Sequence, residues 1–177
     1  MAPLNEIGTH TLIVKYDGVF DYDEIYGVLQ NWIKDQGFWF EERTYKSKVP
    51  SPAGAEHDII WDGWRKVTPY VKYWIYVTWK LWDLKEVEVI KDGKKKKLYK
   101  SRVRIVIKGK VELDWTGRFK GSKFAQSLAE FYNKFIVRKN LDNVWWDELY
   151  YRIFKFHALA KELFDMQTKS NAYYDVW

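Results

Sequence analysis

Cysteine is absent from the 177 residues, and that one absence excludes disulfide cross-links, thiolate metal centres and cysteine nucleophiles. Histidine is scarce as well. Its three occurrences, His10, His57 and His157, have no metal-ligand spacing and form no His-Glu-x-x-His pattern. No apolar run approaches the length of about 18 residues that a membrane span needs. The start, Met1 to Gly8, has neither the basic segment nor the apolar stretch of a secretory leader, so a cytoplasmic protein without membrane insertion is expected. Proline is limited to four residues. The one Pro/Gly/Ser-rich stretch, residues 47–56, reads as an exposed loop inside a single domain covering 1–177.

Motifs of chemistry are also missing. There is no nucleophile elbow, no dinucleotide fingerprint and no paired-carboxylate motif, so neither an enzyme nor a bound cofactor is expected. Glu56, His57, Asp58 and Asp62 are the one local cluster mixing histidine with carboxylates, and before a strand they read as turn-forming, solvated residues. Gly117-Arg-Phe-Lys-Gly-Ser-Lys123 superficially resembles a phosphate loop. A Walker loop needs four residues between its glycines and Lys before Ser/Thr, and this segment has neither. Arg118, Lys120, Gly121, Ser122 and Lys123 remain a possible anion site at a helix start, set against an ordinary Ser N-cap with solvated lysines.

Aromatic residues are abundant. Eleven tryptophans, within an aromatic share of 19% and a hydrophobic share of 47%, suffice for one substantial core without staples. So many indoles call for burial in a core, against a ligand or against another chain. The net charge of +6, from 30 basic and 24 acidic residues, is a mild bias toward anionic partners.

The chain is organised around a long β-hairpin over about residues 70–115. Lys91-Asp92-Gly93 at its centre suits a three-residue loop, which would pair residues whose numbers sum to 184. Val71, Tyr73, Val77, Trp79 and Leu81 then face Leu113, Val111, Ile107, Ile105 and Val103, a buried set. On the opposite face Trp74, Tyr76, Lys80 and Trp82 meet Lys110, Lys108, Arg104 and Arg102. A slip of one residue would mix the two sets. Strands this long would span roughly 70 Å if straight, whereas a compact domain of this length is only about 40 Å across. The hairpin is therefore bent near Asp83 to Lys85 or projects as an arm at 84–100, where Glu88 would pair with Lys96.

Elsewhere, residues 10–16 alternate as a first strand ended by Asp17-Gly18. Asp21 and Glu24 make a capping box for a helix carrying Ile25, Leu29 and Ile33, with Gly37 as its stop. Phe38 to Lys46 reads as a second strand, and Ile59 to Trp64 as a separate short one. Ser122 would cap a helix bearing Phe124, Leu128, Phe131 and Phe135. A last helix from near Asp142 would present Trp145, Leu149, Ile153, Phe156, Ala160 and Leu163, with Glu148 and Arg152 paired on its outer face. The order predicts an α+β fold, a twisted antiparallel sheet with a long hairpin, packed against one N-terminal and two C-terminal helices.

The aromatic and cationic face supports two functional expectations. One is a homo-oligomeric structural or scaffold protein joined through Trp74, Tyr76, Lys80, Trp82, Arg102, Arg104, Lys108 and Lys110, since Trp, Tyr and Arg are enriched at interfaces. The other is a single-stranded RNA or DNA binder using the same face, with Lys94, Lys95, Lys96 and Lys97 at the hairpin tip adding phosphate contacts. Cross-strand cation and aromatic pairs account for part of the pattern with no ligand, and tip lysines also protect a hairpin from edge-to-edge aggregation. Lys80 opposite Arg104 is the pair they leave unexplained. A weaker expectation is an apolar-ligand carrier with a pocket at Trp79, Ile105 and Phe156.

Overall fold

Strict alternation from Val71 to Leu113 builds the two longest strands, and every other element is placed by them. The computed structural model describes residues 6–51, 54–91, 94–119, 123–133 and 141–166. In chain order these form β1 (Glu6–Gly8), β2 (Leu12–Phe20), α1 (Tyr22–Asp35), β3 (Trp39–Ser51), β4 (Gly54–Lys66), β5 (Val71–Lys91), β6 (Lys94–Leu113), α2 (Lys123–Phe131), a π-helical turn (Leu141–Trp146) and α3 (Asp147–Leu163). The strands form one antiparallel sheet in which β3, β4, β5 and β6 run side by side. Both β1 and β2 pair with the free edge of β6. This is the expected α+β architecture.

One face of the sheet is the core. Val71, Tyr73, Ile75, Val77, Trp79 and Leu81 of β5, with Val103, Ile105, Ile107, Val111 and Leu113 of β6, are buried there. From α1 come Ile25, Leu29 and Ile33, and from α3 Leu149, Ile153, Phe156 and Ala160. Burial of each large side chain stabilises the fold by about 1.5–3 kcal/mol. The helical periods of α1 and α3 thus meet the period-two pattern of the hairpin.

The hairpin register is as expected from Val71 opposite Leu113 to Trp82 opposite Arg102, and then it moves by one. Lys85 faces Lys100 and Lys91 faces Lys94, so only Asp92 and Gly93, which lie outside the described residues, separate the strands. The three-residue loop is therefore corrected to two. A bulge at Asp83 and Leu84, with Asp83 at φ 58°, absorbs the difference. Ser101 Oγ donates to the Trp82 carbonyl at 2.8 Å and satisfies an acceptor beside the bulge. The bulge lies within Asp83 to Lys85, where the sequence predicts a bend as one alternative to a projecting arm. Glu88 consequently faces Lys97 and not Lys96.

Beyond Leu84, paired with Ala55, and Tyr99, paired with Phe20, the hairpin strands pair with each other alone. Seven residues of β5 and five of β6, about 20 Å of hairpin, extend past their flanking strands. Lys96 ties this extension back to α1, reaching Asp21 at 2.8 Å and Glu24 at 3.8 Å.

Several strands are longer than the sequence suggests. β2 runs through Asp17-Gly18, because Gly18 stays in the ladder opposite Ser101. The expected loop at 47–56 is mostly strand: β3 and β4 pair from Trp39 opposite Trp64 to Ser51 opposite Gly54, while Pro52 and Ala53 lie outside the described residues. β3 is an edge strand, where proline is tolerated. Ile59 to Trp64 is likewise the middle of β4, not a separate short strand.

Asp21 caps α1 as predicted, accepting the Glu24 N–H at 3.0 Å, and Gly37 takes φ 76° just past the C-cap. Burial alone would raise the Asp21 pKa, but the Lys96 ammonium and the capped N–H together hold it below the ordinary value. A depressed carboxyl pKa contributes stability above its unfolded value of about 3.9, lost as pH falls through the folded value. Asp21→Ala is expected to cost about 1 kcal/mol at pH 7. Urea unfolding at pH 7 and pH 3 checks this, because the gap between variant and parent should narrow at the lower pH.

The Glu148 and Arg152 pair forms at 2.9 Å, but it does not face outward. Tyr73 Oη donates to Glu148 at 3.0 Å, and Arg152 donates to Gln36 Oε1 at 2.7 Å, so the pair joins α3 to the sheet and to the end of α1.

Candidate functional site

The helices α1 and α3 cover one face of the sheet, and the other carries the residues singled out as an interface. Cross-strand registers place these residues in rows. At one end, Lys110 of β6 faces Trp74 of β5, which faces Trp64 of β4, which faces Trp39 of β3. The next row holds Lys108, Tyr76, Asp62 and Glu41. An apolar row, Ile13, Val106, Thr78, Ile60 and Thr44, crosses the middle. Beyond it lie Lys15, Arg104, Lys80, Asp58 and Lys46, and then Asp17, Arg102 and Trp82.

The first rows form an aromatic and lysine ladder. Trp39 stacks on Trp64 with centroids 6.0 Å apart, and Trp74 and Tyr76 stand parallel within 4°. Between the two pairs sits the Lys72 ammonium, 4.6 Å from the Trp64 ring and 4.0 Å from the Trp74 ring. Lys66 lies 4.7 Å from Trp115 and 5.7 Å from Trp64, while Lys110 lies over both Trp74 and Tyr76. Burial first, and then the nearby Lys66 and Lys110 charges, hold the Lys72 pKa below the usual lysine value, with Glu112 acting the other way. Glu112 also accepts the Trp74 indole N–H at 2.6 Å. The platform is therefore ordered by contacts within the protein, yet Trp39 remains 64% exposed.

The charge pairing is uneven. Lys80, which looked unfavourably placed opposite Arg104, has Asp58 at 3.7 Å on its other side. Arg102 binds Asp83 through Nε at 2.9 Å and Nη2 at 2.7 Å, and Lys110 binds Glu6 at 3.0 Å. Among the described residues no carboxylate lies at ion-pair distance from Lys15, Lys66, Arg104 or Lys108. Lys15 and Arg104 face each other directly. Such a like-charged cross-strand pair is destabilising.

Comparison with known proteins does not assign this face. No family model matches the chain, and no curated protein matches it. A solved structure of an uncharacterised protein from Rhizobium leguminosarum aligns with 85% of this chain and 98% of its own, at 11% identity and a TM-score of 0.14. A score that low carries no argument about fold or function.

The remaining candidates are placed as follows. At the hairpin tip, Lys97 pairs with Glu86 at 2.8 Å and Lys95 with Glu88 at 3.5 Å, while Lys96 is held by Asp21. Their charges are thus largely answered within the protein, and the Lys94 side chain lies outside the described residues. In the 117–123 segment, Lys120, Gly121 and Ser122 are outside the described residues. The amides of Arg118 and Phe119 donate to the Asp114 carboxylate at 2.8 and 3.1 Å, so the protein's own anion occupies them. Phe135 and Trp177 are also outside the described residues.

The histidines stay apart. His57 points toward the helix side, its Nδ1 3.2 Å from Tyr45 Oη, whereas Glu56 pairs with Lys48 and Asp58 with Lys80. Burial lowers the pKa of both His57 and His157. His157 approaches the Ile13 carbonyl at 3.4 Å. No group of three metal-ligating side chains converges among the described residues, and no helix among them is long and apolar enough to cross a membrane. Trp79, Ile105 and Phe156 are fully buried core residues packed in the one cluster between sheet and helices.

Residues that the hairpin pattern alone did not reveal are Trp39, Trp64, Lys66, Lys72, Trp115 and Lys15. They come from β2, β3, β4 and the ends of the hairpin. Their signal in the sequence was the outward parity of Trp64 and Lys66, on the face opposite Trp61.

Proposed function

We propose that the helix-free face binds single-stranded nucleic acid. The observation that carries this reading is the ladder of Trp39, Trp64, Trp74 and Tyr76 interleaved with Lys66, Lys72 and Lys110. Bases stack on aromatic rings whatever their identity, while nearby cations follow the phosphates. Joining two copies through this face suits it less well. A two-fold contact would set a face with unanswered cations against the same face of its partner, and opposed like charges cost affinity.

The reading predicts saturable binding of a short single-stranded oligonucleotide with a marked salt dependence. Four cations with no carboxylate partner among the described residues give an expected slope of log K against log salt of about −2 to −3, at about −0.7 per phosphate neutralised, the lower value where two of them share a phosphate. Fluorescence titration of the tryptophans from low to moderate salt measures it. Absence of binding at low salt overturns the reading.

Self-association is a second reading, and it moves to the helix side. There Tyr151 and Phe154 of α3 expose much of their rings, and Tyr150 stacks on Trp146 at 5.0 Å. Exposed aromatic clusters of this kind mark contact surfaces. Light scattering on the titrated samples reads the mass directly, and a monomer throughout removes the homo-oligomeric scaffold reading.

A further inference from the structure

At the far end of the same face, β2 and β6 border an open cleft of about 470 Å³ whose lining includes Lys15, Asp17, Trp82, Arg102 and Arg104. Arg104 lies six residues along β6 from Lys110, so the cleft is about 20 Å from the aromatic ladder at 3.3 Å per residue. It is a separate place, and its chemistry differs.

Three cations stand abreast across it in register, Lys15, Arg104 and Lys80, and among the described residues only Lys80 of these has a carboxylate at ion-pair distance. Arg102 is committed to Asp83 and lies 5.9 Å from the Trp82 ring, with Lys80 5.6 Å from the same ring. Lys15 and Arg104 are thus left facing each other at a cost to the fold, with an indole beside them. A dianion placed between them turns that repulsion into two charge-assisted contacts, and the planar guanidinium of Arg104 suits a phosphate particularly well. Asp17, opposite Arg102, puts a negative charge at the neighbouring position. It disfavours a second phosphate and can accept a hydrogen bond from a ribose hydroxyl or a base amino group.

We infer that this cleft binds one nucleoside monophosphate unit, with the phosphate on Lys15 and Arg104 and the base on Trp82. The inference rests in part on the strand-binding reading, because the unit belongs either to a strand crossing the face or to a free nucleotide. The shared chemistry is a phosphate beside a base, with one negative charge inside a strand and up to two on the free nucleotide.

The test compares the parent protein, Lys15→Gln/Arg104→Gln and Trp82→Ala by calorimetric titration with adenosine monophosphate, inorganic phosphate and a single-stranded oligonucleotide. Expected results are saturable binding of the nucleotide by the parent, a loss of at least tenfold in the double variant, and a clear loss in Trp82→Ala that inorganic phosphate does not share. The double variant should also melt no lower than the parent, since a repulsive pair has been removed. A lowered midpoint would assign the two cations a structural role and overturn the inference. Oligonucleotide binding that is unchanged in the double variant, with no nucleotide binding by the parent, overturns the inference and leaves the strand reading standing. Nucleotide binding that the double variant loses, with no oligonucleotide binding by the parent, supports the cleft and removes the strand reading.

Discussion

Replacing Trp64 and Trp74 together with alanine is expected to weaken single-stranded oligonucleotide binding at least about thirtyfold, because each base stacked on an aromatic ring contributes about 1–3 kcal/mol. The two rings flank the Lys72 ammonium, so their loss also releases the cation that they hold in place. Neither side chain belongs to the core between sheet and helices. The fold should survive, with cation and ring contacts of about 0.5–1 kcal/mol each being lost, and a loss of that size lowers the melting midpoint of a chain this long by about 2–4 °C per kcal/mol. Calorimetric or anisotropy titrations, with a thermal melt as control, separate the two effects. Unchanged affinity would show that strands do not stack on this platform.

The effect should also distinguish the two ends of the face. The Trp64 and Trp74 variant removes stacking but leaves Lys15, Arg104 and Lys108 in place, so the salt slope should stay near its parent value while the affinity drops. Neutralising Lys15 and Arg104 should do the reverse in part, reducing the slope by about 0.7, because the two cations share one phosphate contact. Stacking and charge thereby acquire different signatures in one titration series.

How much of this was legible in the sequence depends on distance along the chain. The two faces of the hairpin from residue 71 to 82 and from 102 to 113 could be read by alternation, because a one-residue slip would bury Lys80 and expose Trp79. The loop length could not. A two-residue turn with a bulge at Asp83 and a three-residue turn without one give the same register in the body of the hairpin, and only the pairings beyond the bulge, from Lys85 to Lys91, tell them apart. Strand ends were underestimated at Asp17-Gly18 and over 47–56 because turn-forming residues signal breaks only where no neighbouring strand recruits them. Gly18 is held by β6 and the 47–51 stretch by β4, contacts between segments that local composition does not encode.

The same limit applied to the site. Half of the aromatic ladder, Trp74 and Tyr76, was visible in the hairpin, while Trp39 and Trp64 join it through the registers of β3 and β4. Lys80 looked like the strained member of its row, since Asp58 comes from another strand. With Asp58 in place the strain passes to Lys15 and Arg104, a pair that needs the register of β2 to be seen.

Gly109→Ala tests how α3 is seated on the sheet, and it is expected to destabilise the protein by about 1–3 kcal/mol, the usual cost of overfilling a packed core. Gly109 faces Ile75 in the ladder, on the face that α3 covers. A Cβ at this position would lie 2.1 Å from Ile153 Cδ1, far inside any tolerable contact. Ile153 is fully buried, so its side chain has little room to turn aside. The clashing atom is also the one that Ile153→Val removes. That change alone should cost about 0.5–1.5 kcal/mol through the cavity it leaves. In the double variant the new methyl group occupies part of that space, so the combined loss should fall short of the sum of the two single losses. Urea unfolding of the four proteins completes the cycle. Strict additivity would mean that α3 shifts as a body to admit the methyl group, and that the close approach at Gly109 does not set the height of the helix above the sheet.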